Sequence, residues 1–418
     1  MQINNFEHAE AILKSFVPPL RKFRSVYTLD IMRALMKALG NPQESYRTIH
    51  VAGTSGKTST AYYAAEMLRL SGHKVGLTIS PHVTSPNERV QIQGAPLDEA
   101  QFCKELGIFL DEVEGTSQKP TYFELLVAFA YWEFARQKID YAVVEVGLGG
   151  LIDGTNVISR SDKVCVITDI GLDHTQVLGN TLGEIAYQKA GIMQPSNHAF
   201  CFAQTKGVDK TIQEYAKQQQ AILHVISPES ISSSDIQLAG FQRRNWFLAS
   251  QAVEYALESD SQEPLTNQAK VQSMKVMIPG RLETLQVNGH VLILDGAHNT
   301  QKISAFVDVL RQQYPHQPKA AVVALLQGPE IKYDPILRQL TEVFDRLIFT
   351  SFDNQQDLRK IATKPDRLLK KVTARGYSNA VVIEDPKMAF EQLCSGQEEV
   401  FVVVGSFYLL YEVRQLVV

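Results

Sequence analysis

The sequence predicts an α/β protein of two domains, and three features carry that prediction. Short apolar runs alternate with segments of helical spacing along nearly the whole chain, the pattern of parallel strands covered on both faces by helices. A loop rich in glycine and hydroxyl side chains, with one lysine, stands where one of those runs ends. At 418 residues the chain exceeds what one hydrophobic core comfortably supports, which implies a division.

Taken in order, residues 48–52, 75–79, 141–146, 164–168 and 199–203 read as strands with helices between them. Ligand sites of such sheets lie at the carboxyl ends of strands, where the glycine loop also lies. A polar interval over 227–235 and a helical stretch over 242–257 precede residues 278–281, IPGR, where Pro and Gly interrupt the pattern. The domain boundary is placed there, giving domains 1–278 and 279–418. Beyond it residues 291–294, 320–325, 347–350, 380–383 and 400–404 again read as buried strands, so the second domain is a smaller α/β unit.

A hydrophobic content of 44% with 21% charged residues is that of an ordinary soluble globular protein. Basic and acidic side chains nearly balance, 41 against 45, so nothing in the charge calls for nucleic acid or an anionic membrane as partner. Cys103, Cys165, Cys201 and Cys394 are widely spaced without a metal-ligand pattern and read as reduced core residues. The start, MQINNFEHAEAILKSF, lacks a basic stretch followed by a long apolar one, and no segment reaches the length of a membrane span. A cytoplasmic location is the expectation.

The loop itself, residues 51–60, reads VAGTSGKTST. Strand, glycine loop and helix together form a phosphate cradle, in which backbone N–H groups and a helix N-terminus face an anion while Lys57 adds a mobile positive charge. The usual first glycine position is Val51 here and the nearest glycine is Gly53, so the loop is a shortened variant. A plain connecting turn is the alternative, but Gly56, Lys57, Thr58 and Ser59 falling together favour a nucleoside triphosphate. The helix over residues 61–70 is expected to be amphipathic.

Other polar signals follow first-domain strands. Ser80, Pro81 and His82 follow one; Glu145 lies in another just before Gly147, Gly149 and Gly150; Asp173 and His174 follow a third. A hydroxyl, a carboxylate and an imidazole from three strand ends are a plausible set around a divalent cation. Singly, a histidine such as His174 is more often structural than a ligand, Glu145 fits a paired buried carboxylate, and Lys189, in a helix over 182–190, is by default an exposed surface lysine; the joint placement of His174 and Glu145 favours the metal.

In chain order the sequence carries LGNPQ (39–43), HVAGTSGKTST (50–60), SPHVTSPNERVQIQG (80–94), TYFE (121–124), EVGLGG (145–150), DHTQVLG (173–179), QKAGI (188–192), IPGR (278–281), DGAHN (295–299) and GSFYL (405–409). This series resembles the dihydrofolate synthase/folylpolyglutamate synthase family of the Mur ligase superfamily, over nearly the whole chain. The resemblance implies a P-loop Mur-ligase-like ATPase domain with a parallel sheet, plus a smaller C-terminal Rossmann-like domain. It implies an ATP-dependent ligase that joins L-glutamate to a pteroate or folate carboxylate through an acyl phosphate. No enzyme nucleophile is needed for that.

By the same resemblance Gly53, Thr54, Ser55, Gly56, Lys57, Thr58 and Ser59 hold the ATP phosphates, Asn245 meets the adenine, and Arg281, Asp295 and His298 reach the nucleotide from across the boundary. ATP would then lie in the cleft between the domains. Ser80, Glu145 and His174 would bind magnesium. Lys189 would carry a carbamate derived from carbon dioxide and hold a second magnesium ion. Lys57, Lys189 and His174 are the implied catalytic set. Thr28, Leu29, Pro81, His82, Thr121, Tyr122, Phe123, Ile152, Asp153 and Gly154 match pterin-binding segments. The second domain would hold most of the glutamate, and a monomer is implied, with small molecules as the only partners.

Structural alternatives stay open at Asn245, which could bridge helices; at Asp295 with Gly296, which could form an ordinary turn; and at Phe123, which could be core. The chain also departs from the family pattern. Ser55 replaces an asparagine, Thr58 a glycine, Leu151 an arginine and Phe241 a histidine, and only Lys332 and Asp334 remain of a DKD element. Loss of the guanidinium at 151 leaves the acid substrate open. A related ligase with another acid or amine is therefore a second reading. A non-catalytic ATP-binding relative is a third, against which the presence of Lys57, Ser80, Glu145, His174 and Lys189 speaks.

Overall fold

Each apolar run read as a strand is one in the computed structural model, and the runs sort into two main sheets within two units, Met1–Val276 and Met277–Val418. The structure describes residues 1–17, 28–231, 238, 240–328, 333–354 and 360–417.

The first unit contains β1 (Arg47–Ala52), β2 (Val75–Thr78), β3 (Gln91–Ile92), β4 (Ala95–Pro96), β5 (Tyr141–Glu145), β6 (Val164–Ile167), β7 (His198–Phe202) and β8 (Ile222–Ile226). They form one sheet in the order β4-β3-β2-β5-β1-β6-β7-β8. Six strands run parallel, while β3 and β4 add an antiparallel edge that the sequence reading did not anticipate. Every residue of β1, β5 and β6 is buried, as expected for central parallel strands. Val51 of β1 stands beside Glu145 of β5, and Ala52 beside Ile167 of β6. The loops that follow these three strands therefore leave the sheet side by side.

The helix after β1, Lys57–Leu70, corrects one expectation. It is not amphipathic: residues 58–68 are buried apart from Glu66. One side meets the sheet, and the helices Gly240–Ser259 and Asn267–Ser273 cover the other. On the opposite part of the unit the helix Tyr122–Arg136 anchors an aromatic core, with Phe129 edge-on to Phe102 at 5.5 Å between ring centres.

The second unit contains β9 (Glu283–Val287), β10 (His290–Asp295), β11 (Lys319–Val323), β12 (Arg346–Phe349), β13 (Asp353–Asn354), β14 (Lys360–Ile361), β15 (Ala380–Val382) and β16 (Val400–Val404). Its main sheet has the order β15-β12-β11-β16-β10-β9, parallel except for β9, and β13 pairs with β14 in a separate two-stranded sheet. β9 and β10 are joined by Asn288 and Gly289, both with positive φ, the backbone of a tight two-residue hairpin.

Cys103, Cys165 and Cys201 are buried and Cys394 is half-buried, all with free thiols. Among the described residues no helix is long and apolar enough to cross a membrane.

Candidate active site

The glycine loop leaves β1 at Ala52 and enters its helix through Gly56, whose φ of 92° is in the left-handed region that favours glycine. A Cβ there would also collide with the Asn245 carboxamide, and one on Gly53 would collide with the Thr168 hydroxyl. The loop is thus pressed against β6 on one side and against the helix Gly240–Ser259 on the other. The N–H groups of Thr54 and Ser55 donate to the Asp169 carbonyl at 2.9 and 3.3 Å, and the Thr54 hydroxyl donates to the Gly171 carbonyl at 3.1 Å. Asp169 is itself held by Arg244 at 2.8 Å. With Thr54 and Ser55 so engaged, the first-turn N–H groups of the helix Lys57–Leu70 are the donors suited to an anion.

Two lysines meet at this loop. Lys57 Nζ donates to the Gly53 carbonyl at 3.1 Å, and Lys189 Nζ donates to the same oxygen at 2.8 Å. Lys189 is buried, so the exposed-surface alternative falls. Its helix, Leu182–Ala190, starts at a capping box formed by Thr181 and Glu184 and brings its last turn to the loop. Both ammonium groups donate to this one carbonyl oxygen, Lys57 from a half-buried position and Lys189 from a buried one.

Glu145, buried at the end of β5, accepts from the Thr58 hydroxyl at 2.8 Å and from the Ser80 N–H at 3.1 Å. The Ser80 hydroxyl oxygen is buried with no hydrogen-bond partner among the described residues, and Pro81 follows across a cis peptide bond. An orphaned hydroxyl next to a buried carboxylate is a hard oxygen set that suits magnesium. His174 differs from these two: its side chain is 59% exposed, its backbone is left-handed, and its Nε2 is 4.0 Å from Asp173. Among the described residues no three His, Cys, Asp or Glu side chains are grouped to hold a metal. Asn245 is buried, its carboxamide lies against Gly56, and its amide nitrogen has no hydrogen-bond partner among the described residues.

Of the residues matched to pterin binding, Phe123, Ile152, Asp153 and Gly154 lie at or against the loop after β5. His82 is buried and its Nδ1 accepts from Arg89 at 3.0 Å; burial, then the Arg89 charge, hold its imidazole well below the usual range and therefore neutral. The Arg89 guanidinium lies 5.5 Å from the centre of the buried Tyr122 ring. Thr121 caps the helix Tyr122–Arg136 in a box with Glu124. The Phe123 ring lies against Gly147 and Gly154, so close that a Cβ on Gly147 would overlap it. Asp153 is buried and accepts from the Leu148 N–H at 2.7 Å, the Thr155 N–H at 3.0 Å and the Thr155 hydroxyl at 2.6 Å. Its carboxylate closes the loop on itself. Ile152 and Thr28 are exposed, and Leu29 is buried.

In the second unit IPGR and DGAHN come together. Asp295 is buried and accepts from the Leu282 and Ala297 N–H groups, both at 2.8 Å; the latter is the turn foreseen as an alternative. Burial raises its carboxyl and the Arg281 charge opposes that rise. Arg281 stacks on Phe407 at 3.9 Å. His298 Nδ1 donates to the Gly296 carbonyl at 2.7 Å, which leaves Nε2 to accept from the Lys302 ammonium at 3.2 Å.

Comparison with known proteins adds an independent line. Residues 51–257 match the Mur ligase middle domain, and residues 279–416 match the C-terminal domain of dihydrofolate synthetase. The chain is 30% identical to the Saccharomyces cerevisiae dihydrofolate synthetase over 431 residues, covering 93% of this chain and 97% of that one. The chain belongs to the dihydrofolate synthase/folylpolyglutamate synthase family. It is also 29% identical to the Bacillus subtilis dihydrofolate synthase/folylpolyglutamate synthase, over 96% of this chain and 97% of that one. The structure of Mycobacterium tuberculosis folylpolyglutamate synthase complexed with ADP superposes with a TM-score of 0.81 at 27% identity, covering 98% of each chain.

Within the family pattern the departures have visible surroundings. Leu151, in place of an arginine, donates its N–H to the Gln188 carbonyl at 2.7 Å and packs half-buried beside Gly191 and the adjoining core. Lys332 lies outside the described residues, and Asp334 pairs with Lys371 at 3.0 Å and Arg375 at 3.2 Å. Sequence reasoning missed Lys302 and Phe407 as members of the second-unit cluster. The spacing of four between His298 and Lys302 at a helix start was a usable signal for the first; the contact of Phe407 with Arg281 is long-range and left none.

Proposed function

We propose that this chain joins L-glutamate to the carboxylate of a pteroate or folate with ATP as the activating substrate, acting as a cytoplasmic monomer. Domain 1–278 binds ATP and the pterin, and domain 279–418 binds most of the glutamate. The observation that carries the reading is the meeting of Lys57 and Lys189 on the Gly53 carbonyl, with the phosphate-loop hydroxyl of Thr58 bonded to Glu145.

A carboxylate resists attack by an amine because oxide cannot leave. Transfer of the terminal phosphoryl group of ATP to the substrate carboxylate gives an acyl phosphate. The glutamate amine adds to its carbonyl, and phosphate leaves as the amide forms. Lys57 and the helix N-terminus neutralise charge on the phosphoryl group in transit, and positioning supplies much of the remainder. Ser80, Glu145 and His174 are the residues that would hold a magnesium ion. Bound magnesium supplies electrostatic stabilisation of the phosphate oxygens. Lys189 is the proposed carbamate site: addition of its neutral amine to carbon dioxide with loss of a proton turns a cation into an anion able to hold a second ion. Asn245 is assigned to the adenine, and Arg281, Asp295 and His298 to nucleotide contacts from the second unit. His82, Thr121, Tyr122, Phe123 and Asp153 are assigned to the pterin end.

Purified protein with ATP, magnesium, glutamate and either dihydropteroate or tetrahydrofolate should release phosphate and yield a product heavier by one glutamyl residue. ATP turnover without that gain would favour a ligase for another acid or amine, the reading that apolar Leu151 supports.

A further inference from the structure

Among the polar side chains buried in the central strands is an imidazole. His50 is in β1, the central strand, and is fully buried. Its Nε2 is 2.9 Å from the Thr155 hydroxyl, which in turn is 2.6 Å from Asp153 Oδ1. Asp153 also takes the N–H groups of Leu148 and Thr155 and can only accept as a carboxylate, so the single hydroxyl hydrogen of Thr155 goes to it. The imidazole must then donate from Nε2. That fixes the tautomer and leaves Nδ1 as an acceptor, and Nδ1 is buried without a partner among the described residues. Burial, followed by the charge of Lys163, holds the ring neutral. A valine or leucine would fill the strand without an unsatisfied nitrogen, so the hydrogen bond from Nε2 must return something that packing does not.

We propose that His50 is a positioning residue for the acid substrate: through Thr155 it orients the Asp153 carboxylate that closes residues 147–154 beneath Phe123. The chain of donors runs in one direction, imidazole to hydroxyl to carboxylate, and each link polarises the next. The Tyr131 hydroxyl braces the same point by donating to the Thr155 carbonyl at 2.9 Å. Three residues beyond His50 the strand becomes the phosphate loop at Gly53, so one strand sets the place of both the nucleotide loop and the acid-side loop. This role rests on the ligase reading given above.

The test compares full-length wild-type protein with His50→Leu, His50→Gln and Thr155→Val, measuring KM for the pteroate or folate substrate, KM for ATP, and the melting temperature. Leucine fills the space without donating, whereas the glutamine amide can donate from the position of Nε2. His50→Leu should raise KM for the acid about tenfold or more while ATP KM stays within about twofold, and His50→Gln should recover most of the loss. Thr155→Val should reproduce the leucine effect, and the double variant should be no worse than either single. Equal changes in both KM values, an unchanged acid KM in His50→Leu, or glutamine no better than leucine would each overturn the proposal. Independently of any substrate, nitrogen NMR of labelled histidine in the wild type should show His50 protonated at Nε2; protonation at Nδ1 overturns the relay. Failure of the wild type to ligate pteroate or folate would sink the functional reading and leave that NMR result standing.

Discussion

Two ammonium groups on one carbonyl oxygen, those of Lys57 and Lys189, concentrate positive charge beside the loop proposed for the triphosphate. Conversion of Lys189 to a carbamate would remove that repulsion and add an anion. Lys189→Ala should therefore abolish ligation, with partial recovery on adding bicarbonate or a short carboxylic acid in a phosphate-release assay; full activity without additive would refute the carbamate role. Titration of His50 gives a second expectation. Its folded pKa lies below 6.5, so beneath pH 6.5 the unfolded chain binds a proton that the folded protein refuses, and stability falls as pH drops. The stabilisation is fully present above that pH. Melting curves from pH 8 to 5 should fall in the acid arm, by at most about 1.4 kcal/mol per pH unit for one histidine, and less steeply in His50→Leu. Sequence gave access to Lys57 through its loop but not to the burial of Lys189, since helical spacing names a face without naming what covers it. Glu145 was singled out as a strand-end carboxylate and grouped with Ser80, yet its bond to the Thr58 hydroxyl joins two elements and no local pattern announces it.

At the scale of elements, the helix Lys57–Leu70 shows where periodicity misleads. A helix buried on both sides has no polar face to read, and its second cover, the helix Gly240–Ser259, comes far later in the chain. β3 and β4 hold two residues each, too short for any alternation. β9 had readable cues, the hairpin signature Asn288–Gly289 and the alternation of Thr284 to Val287, that the sequence reading did not use. The parallel strands other than β8 were legible because each is a largely apolar run between turn residues, whereas β8, exposed or half-buried at the sheet edge with His224 in it, was not read. The turn into the phosphate-loop helix yields a sharp prediction: Gly56→Ala places a side chain at φ 92° and against Asn245, so it should cost about 1–2 kcal/mol of stability or more, with weakened nucleotide binding by calorimetry. Unchanged affinity would remove Gly56 from the cradle.

Over the whole molecule, each unit has its own sheet and its own buried cluster. Residues 277–418 produced alone should therefore unfold cooperatively in urea, with a sigmoidal circular-dichroism transition; a featureless, non-cooperative curve would show that this unit depends on the first. The sequence reading placed a boundary after residue 278 from length and the interruption at IPGR, and the compact units meet between Val276 and Met277. The chain passes between the units once, between Val276 and Met277. A polypeptide with one such junction can be recombined there: grafting the later segment of a relative with a different amine preference would ask which half dictates that choice, with the earlier half left intact.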